Sequence, residues 1–398
     1  MTSWAASLLF SANVTGRRLR SRDLVLVAAV AIVAAVAAGV VARLAIRGNG
    51  EPSSTPAPVT VAEPDAGVRD AGRPDARAAL PSRSPDAALD SATAAEPTTL
   101  AEQRAALLET LRTELDASDD ELARVRAIFD ASPIIGQGNP KLTVHPMTRA
   151  ECRAIRASAR LFDPDPSLCG EANMVPIYGG DAAPRDAHVC IDQYEFPNVP
   201  CEYPLVHVSA REAALLCEAL GKRLCDTHEW EGACAGELSP LDRDYTWKHS
   251  RATRALYHNR DRARSWAYGS TKDHTRCATD STKSRSCTEG GYRDCGSNTY
   301  PAGAFPECMS RFGVYDQHGN AAEHMNIPLE VSELTSRGGS GYTEMKGSWF
   351  FFQKQEAHED DCRWRAPSWH STKVMAVDSH SNYHLGFRCC KSLEQNAR

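Results

Sequence analysis

No cysteine occurs in the first 151 residues of this 398-residue chain; all fourteen lie at or after Cys152. Such clustering predicts a disulfide framework confined to the C-terminal part, formed in an oxidising compartment. No Cys-x-x-Cys pair occurs anywhere, which argues against zinc as the reason for so many thiols. Residues 51–98 lack aromatic side chains altogether and are dominated by Ala, Pro, Asp, Ser and Thr. A segment of that composition cannot bury enough apolar surface to offset its ordering entropy, so no second folded domain is expected there. The net charge is only −6. Without a concentrated basic face in the C-terminal half, nucleic-acid binding is excluded.

What is present begins with an apolar run. Residues 1–23 form a short arm carrying Arg17, Arg18, Arg20 and Arg22, and Leu24–Val41 comes next without a charge. At about 1.5 Å per residue the run spans roughly 27 Å, close to a bilayer core. Segment 24–46 therefore reads as a single transmembrane helix. Four arginines before it against Arg43 and Arg47 at its far end place the N-terminus in the cytoplasm and the rest of the chain outside, in a periplasm-like space. A cleaved signal peptide is the competing reading, because Ala35-Val36-Ala37 resembles a cleavage site. Residues 47–98 then form a disordered Ala/Pro/Asp linker, kept extended by prolines and solvated by alternating Asp and Arg.

Helical signals return at Thr99. Leu100, Leu107, Leu108, Leu111 and Leu115 mark one amphipathic helix. A second, capped by Ser118 with Glu121, carries Leu122, Val125, Ile128 and Phe129. This hairpin, 99–131, is too short to stand alone and should pack on the domain C-terminal to it or self-associate. Residues 132–171 form a lead-in containing Cys152 and Cys169, with a short helix expected at Arg149–Ser158. A Cys152–Cys169 bridge is one pairing of that segment, although spacing does not fix connectivity.

The stretch Val208–Gly236 organises the remainder. Ser209 with Glu212 makes a capping box, and Ala213, Leu216, Cys217 and Leu220 form an apolar stripe ended by Gly221. Asp226 with Glu229 opens a second helix, with Trp230 and Cys234 facing inward and Gly236 ending it. Each helix thus offers one half-buried cysteine that needs a distant partner. Cys190 with Cys201 reads as a local pair, since Pro197 and Pro200 can turn the chain between them.

The run YPLVHVSAREAALLCEALGKRL…HEWEGAC resembles the sulfatase-modifying-factor family, that of the formylglycine-generating enzyme. MVPIYGG at 174–180, CIDQYEFPN at 190–198, FGVYDQHGNAAEH at 312–324, KGSW at 346–349, CRWRA at 362–366 and LGFRCC at 385–390 carry the likeness further. It covers about 172–393. The resemblance implies an α+β fold, the C-type-lectin-like fold of the formylglycine-generating enzyme, loop-rich and stapled by disulfides. A domain with so little regular structure needs cross-links or ions to compensate for loop entropy. By the same resemblance Cys217 pairs with Cys389 and Cys234 with Cys362; Cys225, Cys277, Cys287, Cys295, Cys308 and Cys390 remain unassigned.

The resemblance also implies a calcium site, from Asp316, Gly319, Ala321 and Glu323, which match the family's second calcium loop. Hard oxygen donors from a turning backbone suit that ion; the alternative is that Asp316, Asn320 and Glu323 only hydrogen-bond the loop. Asn259 matches the start of the other calcium loop. Copper is not expected. The enzyme holds copper(I) through two cysteines just after its Gly-Gly-Ser motif, a soft-ligand site, whereas KGSWFFFQKQEAHEDDCRWR has none before Cys362. Ala322 and His324 stand where the family has tryptophans. The histidines of the iron-dependent relatives are absent from 99–131. His358, His370, His380 and His384, with Asp360 or Asp361, are a weaker candidate for a metal. Gly338-Gly339-Ser340-Gly341 lacks the strand–turn–helix context of a serine hydrolase and reads as a turn. The expected function is a binding or scaffolding module for an exported protein or glycan. The alternative is a diverged metal-dependent oxidoreductase, discriminated by the cysteine pair after KGSW.

Overall fold

Each helix of the hairpin starts where its sequence satisfies its own free N–H groups. In the computed structural model, which describes residues 96–336, 339–366 and 372–393, Thr99 caps α1 (Leu100–Leu115) and Ser118 caps α2 (Asp119–Ala131), both through reciprocal capping boxes. The apolar run 24–41 and most of the linker lie outside the described residues. Among the described residues no helix is long and apolar enough to cross a membrane. Thr148 caps α3 (Arg149–Ser158) in the same manner, and Asp165 caps the single turn α4 (Pro166–Cys169).

The two organising helices are α5 (Ala210–Ala219) and α6 (Thr227–Ala235). Gly236 ends α6 at φ +79°, a conformation open to glycine at little cost. The hairpin lies on α5: Leu107, Leu111, Val125 and Phe129 share a core with Ala213, Leu216 and Cys217. Leu111 and Val125 are fully buried, and each such side chain contributes roughly 1.5–3 kcal/mol of apolar burial. Arg124 of α2 donates two hydrogen bonds to the Ala219 carbonyl at the end of α5, at 2.8 and 3.2 Å.

Two small sheets complete the domain. One is antiparallel and contains β1 (Met174–Ile177), β2 (Val189–Asp192), β3 (Arg223–Leu224) and β7 (Cys389–Ser392), in the order β1-β2-β7-β3. The other contains β4 (Ala322–Ile327), β5 (Tyr342–Lys346) and β6 (Leu385–Phe387), in the order β5-β4-β6, with β4 and β6 parallel. Strands β6 and β7 are separated by one residue, Arg388, yet belong to different sheets. Short helices α7 (Leu241–Asp244) and α8 (Arg251–Asp261) lie in the long connection between α6 and β4.

Seven disulfides use all fourteen cysteines. Cys217 bonds Cys389 and Cys234 bonds Cys362, the two pairs the family resemblance implies. Cys225 bonds Cys390, Cys277 bonds Cys308 and Cys287 bonds Cys295. Two expectations are corrected. Cys190 bonds Cys169 rather than Cys201, because β2 carries it beside α4. Cys201 bonds Cys152, because its N–H is held by the Ala302 carbonyl, under the buried face of α3.

Candidate functional site

Arg388 sits between the two sheets and is fully buried. Its guanidinium gives Nε and Nη2 to the two oxygens of Glu323 on β4, both at 2.7 Å. The remaining donors reach the Asp192, Gln193 and Tyr315 carbonyls at 2.9–3.2 Å. Trp230 of α6 adds its indole N–H to Glu323 at 3.0 Å. A buried bidentate pair of this kind is strongly destabilising to break, since removing one partner leaves an uncompensated charge.

The residues matched to a calcium loop lie beside this pair. The Asp316 carboxylate accepts the Gly303 N–H at 2.5 Å. Gly319 turns at φ +79° against Ala278, where a Cβ would lie 2.5 Å from the carbonyl oxygen. Ala321 gives its N–H to Glu195 at 2.7 Å. Glu323 is committed to Arg388 and Trp230. The positive charge that faces Glu323 is a guanidinium, and no group of three metal-ligating side chains forms here among the described residues. Burial, then the charges of Asp316 and Glu323, raises Glu195 well above the usual carboxylate range, and burial pushes Asp316 up to about 6.

After Lys346-Gly-Ser-Trp349 the chain packs as an aromatic cluster of Trp349, Phe350, Phe351, Phe352 and Tyr383. No cysteine of the described residues is free. Among the described residues no group of three metal-ligating side chains includes His358, His380 or His384. His358 stacks on Trp364 at 4.5 Å and His384 lies against Trp349 at 4.4 Å, while His380 is exposed; His370 lies outside the described residues. Asp361 is held by Arg262 at 2.7 Å. Asp360 instead joins His274 at 3.0 Å, Ser348 at 3.1 Å and the Trp266 indole at 3.2 Å. Burial works against its charge, but the hydrogen bond from His274 and the nearby His318 hold it well below the usual carboxylate range. Sequence reasoning missed this hub, because His274, His318 and Asp360 share no spacing. Asn259 brackets Arg365, donating to its carbonyl at 2.7 Å and accepting its N–H at 2.8 Å.

A second ion centre lies behind α7 and α8. Glu231 of α6 receives two N–H groups of Arg365, both at 2.8 Å, and Lys346 at 3.1 Å. Although burial opposes ionisation, Arg365 and Lys346 keep Glu231 far below the ordinary range. Asp244 and His258 complete a group with Glu231 whose ligand atoms lie within 4.8 Å. Two cations already face Glu231, so the group does not suit a divalent ion. Asp244 and His258 also line a cleft of about 410 Å³ with Arg243, Arg254, Arg262 and Arg363. The alternation of Arg and Asp over 237–263 is the signal that could have found it.

Several solved structures are similar to this chain. The crystal structure of CarF is 14% identical, with 56% of this chain and 98% of that chain covered and a TM-score of 0.29. PvdO from Pseudomonas aeruginosa is 17% identical, with 65% and 80% covered and a TM-score of 0.24. The Major Tropism Determinant I1 variant is 14% identical, with 56% and 55% covered and a TM-score of 0.26. No curated protein matches the chain. The family model for the sulfatase-modifying factor enzyme 1-like domain matches residues 183–393, more than half of the sequence. The chain is therefore a member of the sulfatase-modifying factor enzyme 1-like family.

Proposed function

We propose that this protein is an exported, membrane-tethered binding module that keeps the family's fold without its copper chemistry. The observation that carries the reading is the state of sulfur. Copper(I) is held by soft thiolates, and every one of the fourteen cysteines is committed to a disulfide. The stretch after Trp349 is filled by packed phenylalanines instead. The charge-free run at 24–41, preceded by four arginines, supports a single anchor with the folded part outside. Seven disulfides fit an oxidising space beyond that membrane. The partner would be an exported protein or a glycan.

The test is metal analysis of the purified full chain, with oxygen uptake measured on a cysteine-containing peptide. The expected outcome is neither stoichiometric copper nor iron and no oxygen consumption above the blank. Stoichiometric copper or iron with peptide-dependent oxygen uptake would sink this reading in favour of a diverged oxidoreductase.

A further inference from the structure

The cleft beside α7 and α8 plays no part in holding the two sheets together, and its wall carries more positive charge than its own carboxylates offset. Arg262 is paired with Asp361 and Glu359. Arg254 spends its donors on the carbonyls of Trp247, His249 and Leu329 and meets no carboxylate among the described residues. Arg363 gives one N–H to the Glu237 carbonyl at 2.8 Å and reaches Asp244 only at 3.4 Å. Arg243 is exposed and makes no ion pair among the described residues. Against these stand Glu237, Asp244 and Asp261, and Asp261 is already held by Arg260 at 2.5 Å. Ser239, Thr246 and the half-buried Tyr257 complete the lining; the Arg260 guanidinium lies over the Tyr257 ring, 5.0 Å from its centroid, and His249 meets it edge-on, so a ligand ring has the remaining face.

Surplus guanidinium, hydroxyl groups and a ring face in about 410 Å³ describe a pocket of small-ligand size for an anion that also carries hydroxyls. We propose that this cleft binds an acidic sugar, its carboxylate received by Arg243 and Arg363 and its ring laid against Tyr257. The proposal rests on the binding-module reading and supplies the ligand class for it. Guanidinium is the group suited to this task, since its planar fork matches a carboxylate.

Asp244 controls how much of Arg363 is available. Its carboxylate is buried, and its Oδ2 has no hydrogen-bond partner. Burial, then the charge of Glu231, pushes its pKa up to about 6, against the pull of Arg365, Arg363 and Lys346. The other titratable neighbours stay neutral: burial lowers His258 to about 3 and raises Tyr245 well above its ordinary value. Above about pH 6 Asp244 is charged and competes for Arg363. Below it Asp244 is neutral and Arg363 is released, so an anion binds more tightly in mild acid.

The experiment is calorimetric titration of the full chain with galacturonate at pH 5 and pH 8, with galactose as the uncharged arm. Galacturonate should bind, more tightly at pH 5, and galactose at least tenfold more weakly. Arg243→Ala removes an exposed, unpaired side chain; it should weaken galacturonate by about tenfold, one charge-assisted contact, without lowering Tm. Asp244→Asn should abolish the difference between the two pH values. No binding of galacturonate at either pH, equal binding of galactose, or unaltered binding in Arg243→Ala overturns the proposal. The binding-module reading fails on metal content and oxygen uptake, so the two failures are distinct.

Discussion

The hairpin α1–α2 contains no cysteine and is fixed to its neighbour by side chains alone: Leu107, Leu111, Val125 and Phe129 on α5, and Arg124 on the Ala219 carbonyl. From Cys152 onward the chain has short strands, long connections and seven disulfides. The contrast stems from where backbone hydrogen bonds go. A helix satisfies its own backbone locally, so a stripe of leucines is enough to dock it. A chain that is mostly loop must constrain its unfolded ensemble by other means, and cross-links over long separations do so. The two regions meet at α5, which receives the hairpin on one side and is stapled by Cys217 to β7.

Three variants sharpen or break this comparison. Replacing Cys217 and Cys389 together by Ala opens a bond spanning 172 residues. Loop-closure entropy sets a ceiling of about 5 kcal/mol on the loss, read by urea denaturation, and the hairpin should undock with α5. Leu111→Ala should cost about 3 kcal/mol by cavity formation, with an equal loss in oxidised and reduced protein. Ser118→Ala removes one reciprocal cap and should lower stability by about 1 kcal/mol, seen as early fraying of α2 by hydrogen exchange. If the double cysteine variant lost no more than Ser118→Ala, the division of labour between the regions would be wrong.

Local signals were legible in the sequence. Capping pairs Ser118–Glu121, Ser209–Glu212 and Asp226–Glu229 each open a helix in the structure, because a cap is a contact between residues three apart. Partners across the chain were legible only where the family resemblance supplied them, as for Cys217 and Cys234. Spacing alone misled at Cys190 and Cys201: nearness along the chain says nothing of which strand face or helix lies opposite. For the loop 316–323 the charge partner of Glu323, Arg388, lies 65 residues further along and gave no local signal. The cleft at α7 and α8 escaped for the same reason, since Arg363 reaches it from the far side of β5.

Cys389 and Cys390 are consecutive, and they bond Cys217 and Cys225, 172 and 165 residues earlier. During synthesis those two earlier thiols must therefore wait for their native partners until the chain as far as Cys390 has emerged. The final turn of events is a choice between two neighbouring sulfurs for two waiting ones, and a wrong choice shifts β7 by one residue and inverts which side it presents. Assembly of this molecule thus depends on β7 arriving intact, and on a catalyst able to reshuffle mistaken bonds before they are sealed inside.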